Sequence, residues 1–191
     1  FPNREAYRSF VDGIFMGYKW QCVEFVRRWL YINKHYIFDD IPMAYDIFRL
    51  RSVKKLSDDS QLPLHSFTNG ARRRPVAGSL LIWDAAGEFE ITGHVAVVTE
   101  VHDDFIRIAD QNVDNILWPE GQSFSRQLKA TTGEDGGYWI EPCLDDVLIL
   151  GWVMQTDDDT FSEDITDVDR NIFRPLINSV PDTGQSTSPW V

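Results

Sequence analysis

Apolar residues recur at helical spacing in the first part of the chain. Side chains at positions i, i+3, i+4 and i+7 fall on one face of a helix, so this spacing predicts an amphipathic helix near residue 22. The residues at these positions are Cys22, Phe25, Val26, Trp29 and Leu30. A second stretch of helical spacing covers roughly residues 44–56. The sequence therefore predicts that helices open the fold.

Beyond residue 56 the pattern changes to short apolar runs separated by turn residues. Pro63, Asn69-Gly70 and Pro75 predict a loop. The runs that follow predict strands near residues 79–83, 94–101, 105–109 and 147–155. Strands this close in sequence favour an antiparallel meander. Helices first and a sheet afterwards are typical of an α+β fold.

The composition indicates one domain followed by a polar extension. The chain has 191 residues, of which 43% are hydrophobic, which is enough for one core. Acidic residues crowd together after Gln155, and Ser, Thr, Gly and Pro follow to the end. We therefore expect a domain over residues 1–156 and an acidic, polar tail or linker over residues 157–191.

Charge and residue content limit the classes of ligand and the cellular compartment that the sequence predicts. A net charge of -12 repels phosphate backbones and attracts cationic ligands such as polyamines, so nucleic acid is not an expected partner. No apolar run reaches the length that a membrane span requires. Two cysteines in a chain of this length favour a reducing compartment, and we expect the cytoplasm. The four histidines have no zinc-site spacing, so no metal is expected.

Cys22 is a candidate nucleophile because it lies where the predicted helix begins. The free N–H groups of a first helical turn stabilise a thiolate and lower the pKa of the thiol. The alternative is a small buried apolar residue, since free cysteine is often buried. Cys143 follows Pro142 in a segment without a helix start, and we expect it to be structural.

His94 opens a predicted strand directly after Gly93, and its partner depends on the register of the next hairpin. A three-residue loop at residues 102–104 makes the numbers of paired residues sum to 206, so that His94 faces Asn112. Asp110 then lies diagonally from His94 on the same face. A two-residue loop would instead place Asp110 on the opposite face.

These residues form a pattern suited to nucleophilic catalysis. Cys22 would be the nucleophile, His94 the general base and acid, and Asp110 the group that orients the imidazole. The order Cys, His, Asp along the chain is the order found in thiol proteases. Gln21 and the backbone N–H of Cys22 would stabilise the oxyanion, with Asn112 in support.

Two arginines follow the cysteine on the predicted helix. Arg27 and Arg28 lie about one and a half turns beyond Cys22, so neither shares its face of the helix. One of them could bind a substrate carboxylate with two hydrogen bonds. A solvent-exposed helix face is the alternative.

Short sequence blocks stand out at residues 17–25, 75–78, 81–84, 92–96, 109–112 and 150–152. Together these blocks resemble the amidase domain of the glutathionylspermidine synthetase/amidase family and its trypanothione relatives. That domain belongs to the CHAP group of papain-like cysteine amidohydrolases. The resemblance covers most of residues 5–157, although Asp110 stands where some bacterial relatives have Glu.

The resemblance implies a papain-like CHAP fold and a defined reaction. The reaction is hydrolysis of the amide between the glycine of glutathione and spermidine, through a thioester and without metal or organic cofactor. Cys22, His94 and Asp110 would be the catalytic residues, and Arg27 would lie near the substrate. An ATP-grasp synthetase domain usually follows in this family, which makes such a domain an expected partner.

Two other functions stay open at this point. CHAP domains often cut bacterial cell wall, so a peptidoglycan amidase or endopeptidase is one alternative. The other is a catalytically inactive domain that binds or regulates a partner. Reactivity of Cys22 at neutral pH separates an active site from an inactive one, because a structural cysteine is inert.

Overall fold

The computed structural model describes residues 3–114 and 117–163. Within them the chain forms one α-helix and eleven strands, with 3-10 segments at Arg4–Tyr7, Ala44–Arg49 and Gly87–Phe89. The helix α1 spans Cys22–Lys34. The strands are β1 Arg8–Val11, β2 Ile14–Tyr18, β3 Tyr36–Ile37, β4 Ser52–Lys55, β5 Gln61–Thr68, β6 Leu80–Trp83, β7 His94–Val101, β8 Phe105–Ala109, β9 Arg126–Thr132, β10 Tyr138–Ile140 and β11 Ile149–Gln155.

Nine of the strands form a single antiparallel sheet. Its order is β10-β9-β8-β7-β6-β11-β5-β4-β3, while β1 and β2 form a separate hairpin. Helix α1 packs against β2 and β7. The predicted α+β class is confirmed.

Helix α1 forms where the sequence pattern predicts it. Gln21 precedes the helix in an extended conformation and Cys22 is its first residue. Val26 and Leu30 are buried on the inner face of the helix. The helix ends at His35, which adopts the left-handed conformation that commonly terminates helices.

Apolar side chains fill both faces of the large sheet. One cluster joins α1 and the 3-10 segment Ala44–Arg49 to side chains such as Val95 and Val97. The other cluster contains Trp83, Ala96 and neighbouring side chains on the opposite face. Burial on both faces fixes the central strands firmly, because a register slip would exchange the two sets of side chains.

The second predicted helix was wrong in its extent. Residues 44–49 form a 3-10 helix, but Leu50 is extended and residues 52–55 are strand β4. Val53 is buried there, and β4 pairs with β3 and β5. Pairing in the sheet has overridden the apparent helical spacing.

The loop predicted around Pro63 was also wrong, since Pro63 lies inside β5. The ladder between β5 and β11 starts one residue later, at the pair of Leu64 with Gln155. A proline placed beyond the ladder costs no hydrogen bond of the β5–β11 pair. The turn residues Asn69 and Gly70 do follow the strand, as predicted.

The four predicted strands are present, but the last one takes a different place. Strand β11 lies between β5 and β6 instead of extending the meander beyond β8. Every residue of β11 except Gln155 is buried, as suits a central strand. Strand β9 occupies the position beside β8.

The hairpin of β7 and β8 reaches the predicted register by a different route. The N–H of His102 bonds to the carbonyl of Phe105, which leaves a two-residue turn, so the predicted three-residue loop was wrong. An irregularity between Val98 and Glu100 then adds one residue to β7. Beyond this bulge the pairs sum to 206, as in Val97 with Ala109. The bulge therefore restores the register on which the position of Asp110 depends.

The first residues of the predicted tail contact the domain. Arg73 forms an ion pair with Asp158, and the backbone N–H of Glu163 bonds to the carbonyl of Ser66. Residues 164–191 of the predicted tail lie outside the described residues. In the described part of the chain, no helix is long and apolar enough to cross a membrane.

Candidate active site

Cys22 is fixed at the start of α1 by the turn that precedes it. The N–H of Gln21 bonds to the carbonyl of Tyr18, and Trp20 between them has a φ of 68°. A bulky residue with positive φ is uncommon and marks a constrained backbone. This turn brings the buried thiol of Cys22 against β7, where the backbone N–H of Val95 donates a hydrogen bond to it.

His94 is held between aromatic rings at the start of β7. Its ring stacks on Phe89 with 4.5 Å between centroids and lies 5.2 Å from the ring of Trp83. The preceding Gly93 has a φ of 66°, and a Cβ there would lie 2.5 Å from the carbonyl oxygen of Trp83. A glycine is therefore needed before the histidine, because β6 passes too close for a side chain.

The imidazole of His94 bridges the two other predicted catalytic residues. Nε2 lies 2.9 Å from Oδ2 of Asp110, and both side chains are almost fully buried. His94 also shares a hydrogen bond with the Cys22 thiol. Since Nε2 is taken by Asp110, Nδ1 is the nitrogen left for the thiol. The structure thus brings Cys22, His94 and Asp110 together, although they come from the helix, β7 and the end of β8.

Hydrogen bonds and charge have a larger combined effect than burial on the pKa values of Cys22 and His94. Burial raises the pKa of the Cys22 thiol, but the hydrogen bond and charge of His94 and the N–H groups of Val95 and Val23 hold it below its usual 9.0. Burial lowers the pKa of His94, whereas hydrogen bonds to Asp110 and Cys22 raise it to about 9. These contacts stabilise a Cys22 thiolate paired with a His94 imidazolium.

Asp110 has further partners that sequence reasoning missed. Its backbone N–H donates to Oγ of Ser125, and its Oδ2 lies 3.7 Å from Nε of Arg126. Burial raises the pKa of Asp110, but the hydrogen bonds of His94 and Ser125 and the charge of Arg126 hold it below its usual value. Both partners lie at the start of β9, which the sequence pattern did not reveal.

Gln21 and Asn112 meet beside the thiol. Nδ2 of Asn112 donates to Oε1 of Gln21 over 3.4 Å, and both side chains are exposed. This contact uses Oε1 of Gln21 and leaves its Nε2 as a donor in the residue that directly precedes Cys22. First-turn N–H groups have no partner within a helix, so the N–H of Cys22 is a second donor near the thiol. Two such donors suit the oxygen of a tetrahedral intermediate.

Arg27 is placed differently from its predicted use. Its guanidinium donates to the backbone carbonyls of Phe38 and Phe15 and lies 3.6 Å from a carboxylate oxygen of Asp40. The side chain is buried, and these contacts tie α1 to two neighbouring segments. Its role in substrate binding stays a prediction.

Arg28 belongs to a second network that sequence reasoning did not identify. Its Nε donates to Oε1 of Glu24 over 2.8 Å, and Nη2 reaches Oε1 of Gln111 at 3.5 Å. Glu24 is almost fully buried and accepts a second hydrogen bond from Ser9. A Cβ on Gly17 would lie 3.0 Å from Cβ of Glu24, so the glycine allows β2 to approach the helix. The network joins the helix to the segment that carries Asp110.

The structural role expected for Cys143 from the sequence is not supported by burial. Cys143 is exposed, and its nearest polar contact is Nη1 of Arg126, 3.9 Å from Sγ.

Comparison with known proteins identifies the family of the chain. The bifunctional glutathionylspermidine synthetase/amidase of Escherichia coli (strain K12) is 42% identical over all 191 residues of this chain, which correspond to 31% of that protein. A trypanothione synthetase of Crithidia fasciculata is 38% identical over 149 residues, or 76% of this chain and 22% of that protein. The chain thus spans about a third or less of the length of these relatives. The profile of the CHAP domain family matches residues 13–112, and the chain belongs to this family.

Proposed function

We propose that the chain is a cysteine amidase that hydrolyses the amide bond between the glycine of glutathione and spermidine. One observation carries the proposal. The His94 ring is hydrogen-bonded to the buried Asp110 and to the Cys22 thiol at the start of a helix. The names of the relatives supply the amide, since the Escherichia coli protein is a glutathionylspermidine synthetase/amidase.

The first step forms a covalent intermediate. The Cys22 thiolate attacks the glycyl carbonyl carbon, and Gln21 with the N–H of Cys22 stabilises the resulting oxyanion. The intermediate collapses as the C–N bond breaks. His94 gives its proton to the departing amine of spermidine. The products of this step are free spermidine and a glutathionyl thioester on Cys22.

The second step releases glutathione. His94 has lost its proton to the amine and is neutral, so it accepts a proton from water as the water attacks the thioester. The C–S bond breaks, Cys22 leaves as a thiolate, and His94 is again an imidazolium. The cycle needs no redox partner, because no group is oxidised or reduced.

The charges of the protein suit a polyamine conjugate. A net charge of -12 attracts the cationic spermidine half of the substrate by long-range electrostatics. We also propose, by analogy with the relatives, that the amidase works in the cytoplasm beside a synthetase domain of the ATP-grasp type. The proposed substrate role of Arg27 is the least supported, because its guanidinium already binds two backbone carbonyls.

The experiment is a hydrolysis assay with glutathionylspermidine. We expect equimolar glutathione and spermidine by mass spectrometry, and a mass increase of one glutathionyl group on Cys22 in rapidly quenched samples. Cys22→Ala should lower the rate by about 10⁴-fold or more, because it removes the nucleophile. Cys143→Ala is the matched control and should retain most of the rate, since this thiol is exposed and reaches the proposed site only through a long contact with Arg126.

Two outcomes contradict the proposal. Full activity of Cys22→Ala would exclude the covalent route through this thiol. Release of soluble muropeptides from purified sacculi, with glutathionylspermidine left intact, would assign the same catalytic residues to cell-wall hydrolysis instead.

A further inference from the structure

The carboxylate that orients His94 has a charged neighbour on its other side. Nε of Arg126 lies 3.7 Å from Oδ2 of Asp110, the same oxygen that binds Nε2 of His94. The Arg126 side chain is mostly buried, at 18% exposure. Among the described residues, its Nε is a buried donor with no hydrogen-bond partner. The guanidinium therefore acts on Asp110 through charge rather than through a direct hydrogen bond.

The sheet register places Arg126 at this position. Arg126 opens β9 and pairs with Ile108 of β8. Ile108 and Asp110 lie on one face because they are two residues apart, so Arg126 reaches Asp110 diagonally. The adjacent Ser125 fixes the backbone between them, since its N–H binds the carbonyl of Ile108 and its Oγ accepts from the N–H of Asp110.

Contacts at the far end of the guanidinium hold it in place. Nη2 donates to Oδ2 of Asp114 over 2.8 Å, and Nη1 lies 3.9 Å from Sγ of Cys143. The ionisable groups around Arg126 are therefore Asp110, Asp114 and Cys143. Two carboxylates flank one guanidinium, and only Asp110 also contacts His94.

We propose that Arg126 is a positioning residue that acts through Asp110: it keeps the carboxylate ionised and offsets part of its charge, so that His94 can release its proton to the departing amine. The inference rests on the proposed catalytic roles of Cys22, His94 and Asp110. It adds Arg126, beside Asp110, to the three residues that the sequence predicts.

The physical argument concerns how tightly His94 holds its proton. An unopposed buried carboxylate stabilises an imidazolium strongly, which favours the thiolate of Cys22 but hinders proton transfer to the amine. The positive charge of Arg126 beside Asp110 weakens this hold. With Arg126 present, the pKa of His94 is about 9. Without it, His94 should hold its proton more tightly still.

The test measures the titration of His94 directly by NMR of histidine-labelled protein. Arg126→Met should raise the pKa of His94 by about one unit, the order expected for removing a unit charge one ion pair away. Arg126→Lys keeps the charge and should leave the pKa within about 0.3 units of the parent value. In the hydrolysis assay, Arg126→Met should lower kcat about 10-fold with little change in KM. The alkaline limb of the pH–rate profile should move to higher pH.

The matched control is Arg107→Met on the neighbouring strand. Arg107 is paired with Glu100 and bonds to Gln127, so its removal deletes the same charge without touching Asp110. We expect the His94 pKa and the rate to stay unchanged in this variant. A folding defect in Arg126→Met would lower the amount of active protein without moving the pKa of His94 in the molecules that fold.

Two results would overturn the inference. An unchanged His94 pKa in Arg126→Met would show that the two residues are not coupled. A downward shift would show that Arg126 only holds Asp110 in place, because a displaced carboxylate no longer stabilises the imidazolium. The NMR titration needs no substrate, so an amidase assay that fails in the parent protein rejects the proposed function and leaves this test intact.

Discussion

The two sides of the active site are built in different ways. Cys22 owes its position to a local turn and the start of α1, within a few residues of sequence. His94 and Asp110 lie 16 residues apart and meet only because β7 pairs with β8 in one register. A bulge at residue 99 sets that register. The helix side is therefore a local property of the sequence, whereas the sheet side depends on long-range pairing.

The electrostatic difference between the two sides is equally clear. On the helix side, burial raises the pKa of Cys22. The hydrogen bond and charge of His94 are the largest effects that bring it below 9.0, and the N–H groups of Val95 and Val23 add to them. On the sheet side, His94 is embedded in a line of alternating charges that runs through Asp110 and Arg126 to Asp114. The helix start alone does not make the thiol reactive. The sheet side supplies most of what activates it.

The sharpest way to break this dependence is to remove His94. His94→Ala should lower kcat/KM by about 10⁴-fold, because the thiol loses its base and the amine loses its acid. The pKa of Cys22 should rise above 9.0, since burial is then opposed only by the N–H groups of Val95 and Val23. Ultraviolet titration of the thiolate measures this in a Cys143→Ser background, where Cys22 is the single thiol.

His102→Ala is the control for the first prediction. His102 is exposed on the same hairpin and bonds to Glu100, so its loss should change neither the rate nor the Cys22 pKa. If the thiol of His94→Ala kept a pKa below 9.0, the helix start would be sufficient for activation and the comparison would fail.

The second prediction removes the charge behind His94. Asp110→Asn should lower kcat by about 10³-fold, because the amide neither orients the imidazole in the right tautomer nor stabilises its charge. The pKa of His94 should fall from about 9 towards its ordinary 6.5, since burial lowers it and the largest opposing contact is gone. The alkaline limb of the pH–rate profile should therefore move to lower pH.

Asp103→Asn is the matched control, because Asp103 lies in the turn of the same hairpin and pairs with Arg74. It should leave the His94 titration in place. An unchanged His94 pKa in Asp110→Asn would mean that the thiolate of Cys22 alone stabilises the imidazolium. The sheet side would then matter for geometry and not for charge.

The outcome for the sequence predictions follows the same division. Helix α1 was predicted from local spacing, and the structure confirms it at Cys22. The predicted register near His94 is correct although the predicted turn is one residue too long. The bulge at residue 99 compensates for this error, and nothing in the local sequence reveals the bulge. Arg126 was missed because its strand follows a long irregular segment with no clear period. Its link to Asp110 exists only once β8 and β9 are paired.

The sequence predicts that the sheet is antiparallel but does not predict the order of its strands. A central strand such as β11 is recognisable as an apolar run, yet its neighbours are set by packing over more than 80 residues of chain, as in the pair of Gly151 with Thr68. The spacing of residues 52–55 fits both periods over so few residues, so the sequence predicts helix where the structure has strand β4. Short elements are decided by the surfaces they pair with, which the local pattern does not contain.

The smallest expected effect concerns the contact between the two sides, where Nδ2 of Asn112 donates to Oε1 of Gln21. Gln21→Ala should lower kcat about 10²-fold, because it removes one oxyanion donor. Asn112→Ala should lower kcat only about 3-fold, since the contact is long at 3.4 Å and both side chains are exposed. The double variant should match Gln21→Ala alone, because Asn112 acts by orienting Gln21. If the two losses instead multiplied, Asn112 would act on the reaction independently, and the sheet side would contribute to oxyanion stabilisation as well as to proton transfer.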